Sequence, residues 1–223
     1  MPGINGLLLD MNGLFRHWHN TGAHISEQRA GLPTGTIARY AYDHPSYRLA
    51  RVGVLTDQQW ASDVADRLAN DYGPAVRNHL GPWRADRGEP DRTMTALLQA
   101  IREHLPVGVL SNCTDALHTD LKLHGIEFDF VFPSADLGVD KPSPLAYRAA
   151  ADLMSIPPAA LAYFDDEPTF VLAARSLGMK AHLFNGTDDF TARLCHLGVP
   201  LADTSQNPDP LPVRPSHTPR CTY

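Results

Sequence analysis

The chain has 223 residues, of which 43% are hydrophobic and 20% charged, and its 19 basic against 25 acidic side chains give a formal charge of −6. That length accommodates one α/β domain with a smaller inserted one and a sizeable core. The acidic balance, with no basic patch, excludes nucleic acid and anionic membrane as macromolecular partners.

Three cysteines (Cys113, Cys195, Cys221) form no metal-type pair, and their odd number argues against a disulfide framework. No run approaches membrane-spanning length, and no basic segment leads into a long apolar stretch at the start, so a cytoplasmic location is expected.

In chain order, Leu7-Leu8-Leu9 reads as a fully buried strand ending in Asp10. From about Phe15 to Pro90 the strand–helix alternation lapses. Within this stretch Thr56-Asp57-Gln58-Gln59 fits a capping box. Trp60, Val64, Leu68 and Tyr72 then recur every four residues on one stripe until Gly73-Pro74 stops the helix. Shorter helical turns are expected around 37–42 and 74–80.

Alternation resumes at Asp91, which caps a helix with Leu97, Leu98, Ile101 and Leu105 inward. A strand at 107–110, a helix from Asp115 to Gly125 and a short strand at 128–132 follow. Ser143-Pro144 starts a helix running to about Met154. The last elements are a strand at 161–164, a helix at 168–177, a strand at 181–184 and a helix near 188–197. This alternation implies a parallel sheet with right-handed crossovers. The expected organisation is a core of residues 1–15 and 91–199, a small helical insertion at 16–90, and a Pro-rich, flexible tail at 200–223.

Polar groups stand where these buried strands end or the next helices begin: Asp10, Ser111-Asn112, Lys141 and Asp165-Asp166. In a doubly wound sheet such tips converge on one crevice. A nucleophilic carboxylate, a hydroxyl, an amide, a cation and an acidic pair suit phosphoryl transfer, since carboxylates hold Mg²⁺ while Lys, Ser and amides neutralise phosphate oxygens.

Four motifs in order then carry a family resemblance. Asp10-Met11-Asn12-Gly13-Leu14 follows a hydrophobic strand, and Val109-Leu110-Ser111-Asn112 ends a second. Lys141 precedes Pro142-Ser143-Pro144, and Tyr163-Phe164-Asp165-Asp166 closes a strand on an acidic pair. From Leu7 to about Gly198 the chain resembles the haloacid dehalogenase-like superfamily, subfamily I. The resemblance implies a Rossmann-like (HAD-like) core with a helical cap.

It implies that Asp10 attacks phosphorus and carries an aspartyl-phosphate, making Asp10, Asn12 and Lys141 the catalytic set. Ser111, Asn112 and Lys141 would bind phosphate or substrate, and Asp10, the Asn12 carbonyl, Asp165 and Asp166 would hold Mg²⁺. The expected partner is a small phosphorylated metabolite.

The family's second motif-one carboxylate, which protonates the leaving group and later activates water, is Asn12 here. Losing a general acid/base typically costs roughly 10²–10⁴-fold in rate. Three outcomes are open: another group takes the proton role, with His17, His19 and Glu167 nearest in sequence; the leaving group needs no proton; or the site binds without turning over. A metal-independent dehalogenase is the less favoured alternative, because Asp165-Asp166 argues for keeping a metal. Other prominent residues have plainer readings: His17, Trp18 and His19 as hinge or substrate-facing positions, and Cys113 as a small packing residue.

Overall fold

The computed structural model describes residues 3–201, so the expected tail from 202 onward and Cys221 lie outside the described residues. Five parallel strands form the central sheet: β1 (Gly6–Leu9), β4 (Val107–Ser111), β5 (Phe130–Pro133), β6 (Leu161–Asp165) and β7 (Lys180–Leu183), in the order β5-β4-β1-β6-β7. β1 lies at the centre, with Leu9 beside Val109 of β4 and Phe164 of β6. All four β1 residues are buried, as a strand covered on both faces requires.

Side-chain alternation along β1 divides the core in two. Leu7 and Leu9 face Leu98 and Ile101 of α6 (Arg92–Arg102), Leu117 and Leu121 of α7 (Leu117–His124), and Phe190 and Leu194 of α11 (Thr187–His196). Leu8 faces the other way, toward Tyr147 and Ala150 of α9 (Pro144–Leu153) and Val171 and Ala174 of α10 (Pro168–Ser176). The architecture is therefore α/β, a Rossmann-like parallel sheet between helical layers.

Residues between β1 and β4 build a second apolar cluster around Ile37, Trp60, Val64, Leu68 and Trp83. Its helices are α1 (Thr21–Ala30), α2 (Thr36–Tyr42), α3 (Pro45–Arg51), α4 (Asp57–Tyr72) and α5 (Gly81–Ala85), with a 3₁₀ turn at Pro74–His79. The Thr56/Gln59 capping box is fully formed at the start of α4. A two-stranded antiparallel ribbon, β2 (Arg16–His17) with β3 (Glu89–Pro90), brackets these helices.

Some local details differ from the sequence reading. α7 begins at Leu117 rather than Asp115, because 113–116 form a loop held by Ser134 and the Thr114 hydroxyl. The buried stripe of α4 stops at Leu68, and Tyr72 stands exposed at the helix end. Leu97 and Leu105 are only partly buried, and Met94 takes the inward place beside Leu98 and Ile101. A short α8 (Ser134–Leu137) follows β5 directly.

Candidate active site

The three central strands end side by side, which brings Asp10, Ser111 and Asp165 to one edge of the sheet. The Asp10 amide donates to the Phe164 carbonyl at 2.9 Å, so the strand pairing itself fixes where the carboxylate emerges. Lys141, from the loop before α9, inserts its ammonium between the two acids. Nζ lies 2.8 Å from Asp10 Oδ1 and 2.7 Å from Asp165 Oδ2, and all three side chains are buried.

A buried charge set of this kind survives because each member has a partner. Burial pushes the Asp10 carboxyl up to about 6; Lys141 pulls against that rise and Asp165 adds to it. Burial works against the Lys141 ammonium, yet the two carboxylates together hold its pKa above the ordinary value. The Asp166 carboxyl is also raised, first by burial and then by Asp165.

Neighbouring groups hold the arrangement in place. The Asn112 side chain accepts from the Lys141 amide and donates to the Lys141 carbonyl, both at 2.8 Å. Asn112, read from the sequence as a phosphate or substrate ligand, therefore acts on Lys141 as a two-point backbone clamp. Asp165 accepts from the Glu167 amide at 2.8 Å and from the Tyr163 hydroxyl in a short hydrogen bond. Ser111 contributes a buried Oγ with no hydrogen-bond partner, at the tip of β4.

Carboxylate oxygens of Asp10, Asp165 and Asp166 all lie within 4.8 Å of one another. Gly13 permits this closeness: a Cβ there would stand 2.1 Å from Asp166 Oδ2, and its φ is +79°. Hard oxygen donors at this spacing fit Mg²⁺. The Met11 carbonyl and Gly13 amide are both taken by Arg16, whereas among the described residues the Asn12 carbonyl accepts no backbone hydrogen bond.

Asn12 itself is held from the side. Its Oδ1 accepts from Arg16 Nε and from Trp18 Nε1, each at 3.0 Å, which leaves the amide NH₂ as its remaining donor. Arg16 is buried, pairs with Asp120 at 2.7 Å and lies over the Trp18 ring. Arg16 carries no sequence signal for this role. Tyr163 does carry one, because residues i and i+2 of a strand share a face with Asp165.

The three groups nearest in sequence for a proton role are engaged elsewhere. His17 pairs with Asp91 at 3.2 Å, His19 lies 3.7 Å from Glu89, and Glu167 caps α10. Cys113 is buried, and its thiol is pushed up to about 12 chiefly by burial, which suits packing rather than nucleophilic attack.

Beside Asn12 and Asn112 opens a cavity of about 330 Å³ that extends to Tyr42, Tyr47, Trp60 and Trp83 of the inserted helices.

Comparison with known proteins agrees with this architecture. The family model for haloacid dehalogenase-like hydrolases matches residues 11–178. Phosphatase MT3486 of Mycobacterium tuberculosis (strain CDC 1551 / Oshkosh) is 36% identical over 193 residues, 81% of this chain and 87% of that protein. Haloacid dehalogenase-like hydrolase domain-containing protein 3 of Danio rerio is 30% identical over 161 residues, 69% of this chain and 62% of that protein.

Among solved structures, a HAD family enzyme from Bacteroides thetaiotaomicron, in complex with magnesium and inorganic phosphate, aligns with a TM-score of 0.68. It is 17% identical and covers 86% of this chain and 99% of its own. The L-2-haloacid dehalogenase PA0810 aligns with a TM-score of 0.61 at 24% identity, over 80% of this chain and 83% of its own. At these identities the likeness is one of fold. From the family match and the curated relatives together, this chain belongs to the haloacid dehalogenase-like hydrolases.

Proposed function

We propose that this hydrolase is a Mg²⁺-dependent phosphatase or phosphoryl transferase acting on a small phosphorylated metabolite through an aspartyl-phosphate at Asp10, with residues 16–90 serving as the cap. The observation that carries this reading is the placement of Lys141, paired to both Asp10 and Asp165 while three carboxylates share a space less than 4.8 Å across.

A bound Mg²⁺, held by Asp10, Asp166, the Asn12 carbonyl and Asp165 directly or through water, would offset charge on the phosphoryl oxygens. The chain's own residues account for the remainder. Lys141 keeps Asp10 ionised and aimed. The free Ser111 Oγ and the Lys141 ammonium meet phosphoryl oxygens. The Asp10 carboxylate oxygen attacks phosphorus as the bond to the leaving oxygen breaks. Water then displaces Asp10 from the phosphoryl group, regenerating the carboxylate and releasing phosphate.

Asn12 limits both halves, because an amide donates a hydrogen bond but transfers no proton at neutral pH. The occupied Asn12 oxygen supports a second reading, a phosphate-binding protein that turns over slowly or not at all. A metal-independent dehalogenase is less well supported, because Asp10, Asp165 and Asp166 together form a hard-cation donor set. Incubation with phosphate esters and acyl phosphates, with and without Mg²⁺, tests the proposal. Mg²⁺-dependent phosphate release is expected, and halide release from haloacids in the presence of chelator would replace it with the dehalogenase reading.

A further inference from the structure

The cavity beside Asn12 has a composition that the phosphoryl chemistry does not use. Its volume of about 330 Å³ equals about ten water molecules at roughly 30 Å³ each, room for one small ring system. Five aromatic side chains line it: Trp18, Tyr42, Tyr47, Trp60 and Trp83. Tyr42, Tyr47 and Trp60 pack on one another with centroids 5.0–5.9 Å apart, and Trp83 meets Trp60 edge-on at 5.7 Å.

The charged groups among these walls are matched internally. Asp57 pairs with Arg84 at 2.6 Å, and Asp120 binds both Arg16 and Arg87. Asp86 accepts from the Gly22 and Gly88 amides at 2.8 and 3.1 Å. Three arginines and three aspartates leave the lining with no net charge, so it holds no excess charge to attract a strongly charged leaving group.

Among the described residues that line the cavity there is no histidine, the side chain that most readily exchanges a proton at neutral pH. Asn12 is one of these residues, and the neighbouring Cys113 thiol is pushed up to about 12 by burial. A phenol, ionising near ~10 as tyrosine does, departs as its anion without help. An alcohol that ionises as weakly as water, at about 15.7, does not.

Resting on the phosphatase reading, we infer that the cavity receives the leaving group of the substrate and that this group is a planar aromatic alcohol, so that the preferred substrates are aryl phosphate monoesters. In the reaction, Asp10 forms its bond to phosphorus as the aryl oxygen–phosphorus bond breaks, and the electron pair leaves with the aryl oxide. The Asn12 NH₂ is the hydrogen-bond donor available to that oxide. Water then attacks phosphorus, the Asp10–phosphorus bond breaks, and the proton released from water goes to the aryl oxide, giving the phenol.

Binding to the Asp10→Asn protein in the presence of Mg²⁺, measured by calorimetry with inorganic phosphate, ethyl phosphate and phenyl phosphate, separates recognition from turnover. Phenyl phosphate is expected to bind at least about tenfold more tightly than ethyl phosphate, the scale of hydrophobic-pocket discrimination, and Tyr42→Ala is expected to erase that advantage. Tyr42 is an exposed side chain, which makes its truncation compatible with folding.

In the otherwise unmodified enzyme, Tyr42→Ala should raise KM for phenyl phosphate several-fold more than KM for acetyl phosphate. Phosphate binding with no gain from the phenyl group would overturn this inference and leave the phosphatase reading standing. Absence of any phosphate binding, with no turnover of acetyl phosphate, would overturn both.

Discussion

Arg16 Nε donates to the Asn12 side-chain oxygen at 3.0 Å, while Arg16 Nη1 lies 2.7 Å from Asp120. The residue at position 12 is thus tied to a buried cation that already has a carboxylate partner. A carboxylate in place of Asn12 would meet that guanidinium and be held ionised, which suits a base better than an acid.

The first prediction follows from this pairing. Asn12→Asp should accelerate hydrolysis of the aspartyl-phosphate more than its formation. Steady-state turnover should rise by at least roughly tenfold, toward the 10²–10⁴ range of general acid/base catalysis. Rapid-quench kinetics check it: the parent protein should show a burst of alcohol release followed by slow turnover, and the burst should shrink in the variant. Equal steady-state rates would mean that another residue moves the proton.

Ser111 offers a test in which stability and function part. Its buried Oγ has no partner, and an unmade hydrogen bond of this kind costs about 1–3 kcal/mol. Ser111→Ala should leave the protein as stable or stabilise it by about 1 kcal/mol, read by denaturant unfolding. Phosphorylation of Asp10 should nevertheless slow. A loss of stability would place an undetected partner on this hydroxyl.

Removing the cation should do the opposite. Lys141→Met leaves Asp10 and Asp165 facing each other without a counter-charge, and breaking a buried ion pair typically costs roughly 3–5 kcal/mol. Thermal unfolding should show a large drop at neutral pH that narrows in acid, where the acids take up protons. Asn112→Ala, which frees only the Lys141 backbone, should lower the phosphorylation rate with a smaller loss of stability, about 1–3 kcal/mol.

The pH dependence has a defined sign. Burial raises the Asp10 carboxyl from 3.8 to about 6, so in the metal-free protein this group favours the folded state below its unfolded value. That contribution is lost as pH rises through about 6, and Asp166, also raised, acts in the same direction. Metal binding requires the ionised carboxylates, so stabilisation by Mg²⁺ should grow across the same window. Melting curves with chelator and with Mg²⁺, near pH ~5 and ~7.5, should show the larger metal-induced shift at the higher pH. An equal shift at both would contradict the assignment of these acids as metal ligands.

How far the sequence reached depended on whether a feature has a local cause. Buried strands ending in Asp10, Ser111 and Asp165 are legible because apolar runs and polar tips adjoin in the chain. The α4 start is legible because Thr56 and Gln59 satisfy each other's backbone amides. α1 was not legible: it buries Gly22, Ser26 and Glu27 rather than an apolar stripe, and Gly22 lies against the Pro82 carbonyl. The β2–β3 ribbon pairs residues more than seventy positions apart over two residues a side, too short for any periodic signal. In the Asn12–Arg16–Asp120 chain the Arg16–Asp120 link alone spans 104 positions, and it exists only once the sheet has formed. Asn112 shows the limit from the other side, since its position was apparent while its partner, the Lys141 backbone, was set by tertiary structure.

The most direct measurement is mass spectrometry of the protein quenched in acid within the first turnover with acetyl phosphate or phenyl phosphate and Mg²⁺. One phosphoryl group should appear on the peptide containing Asp10 and should be absent from Asp10→Asn. Phosphate release at full rate with that peptide unmodified at every quench time, or an adduct on another residue, would contradict the account.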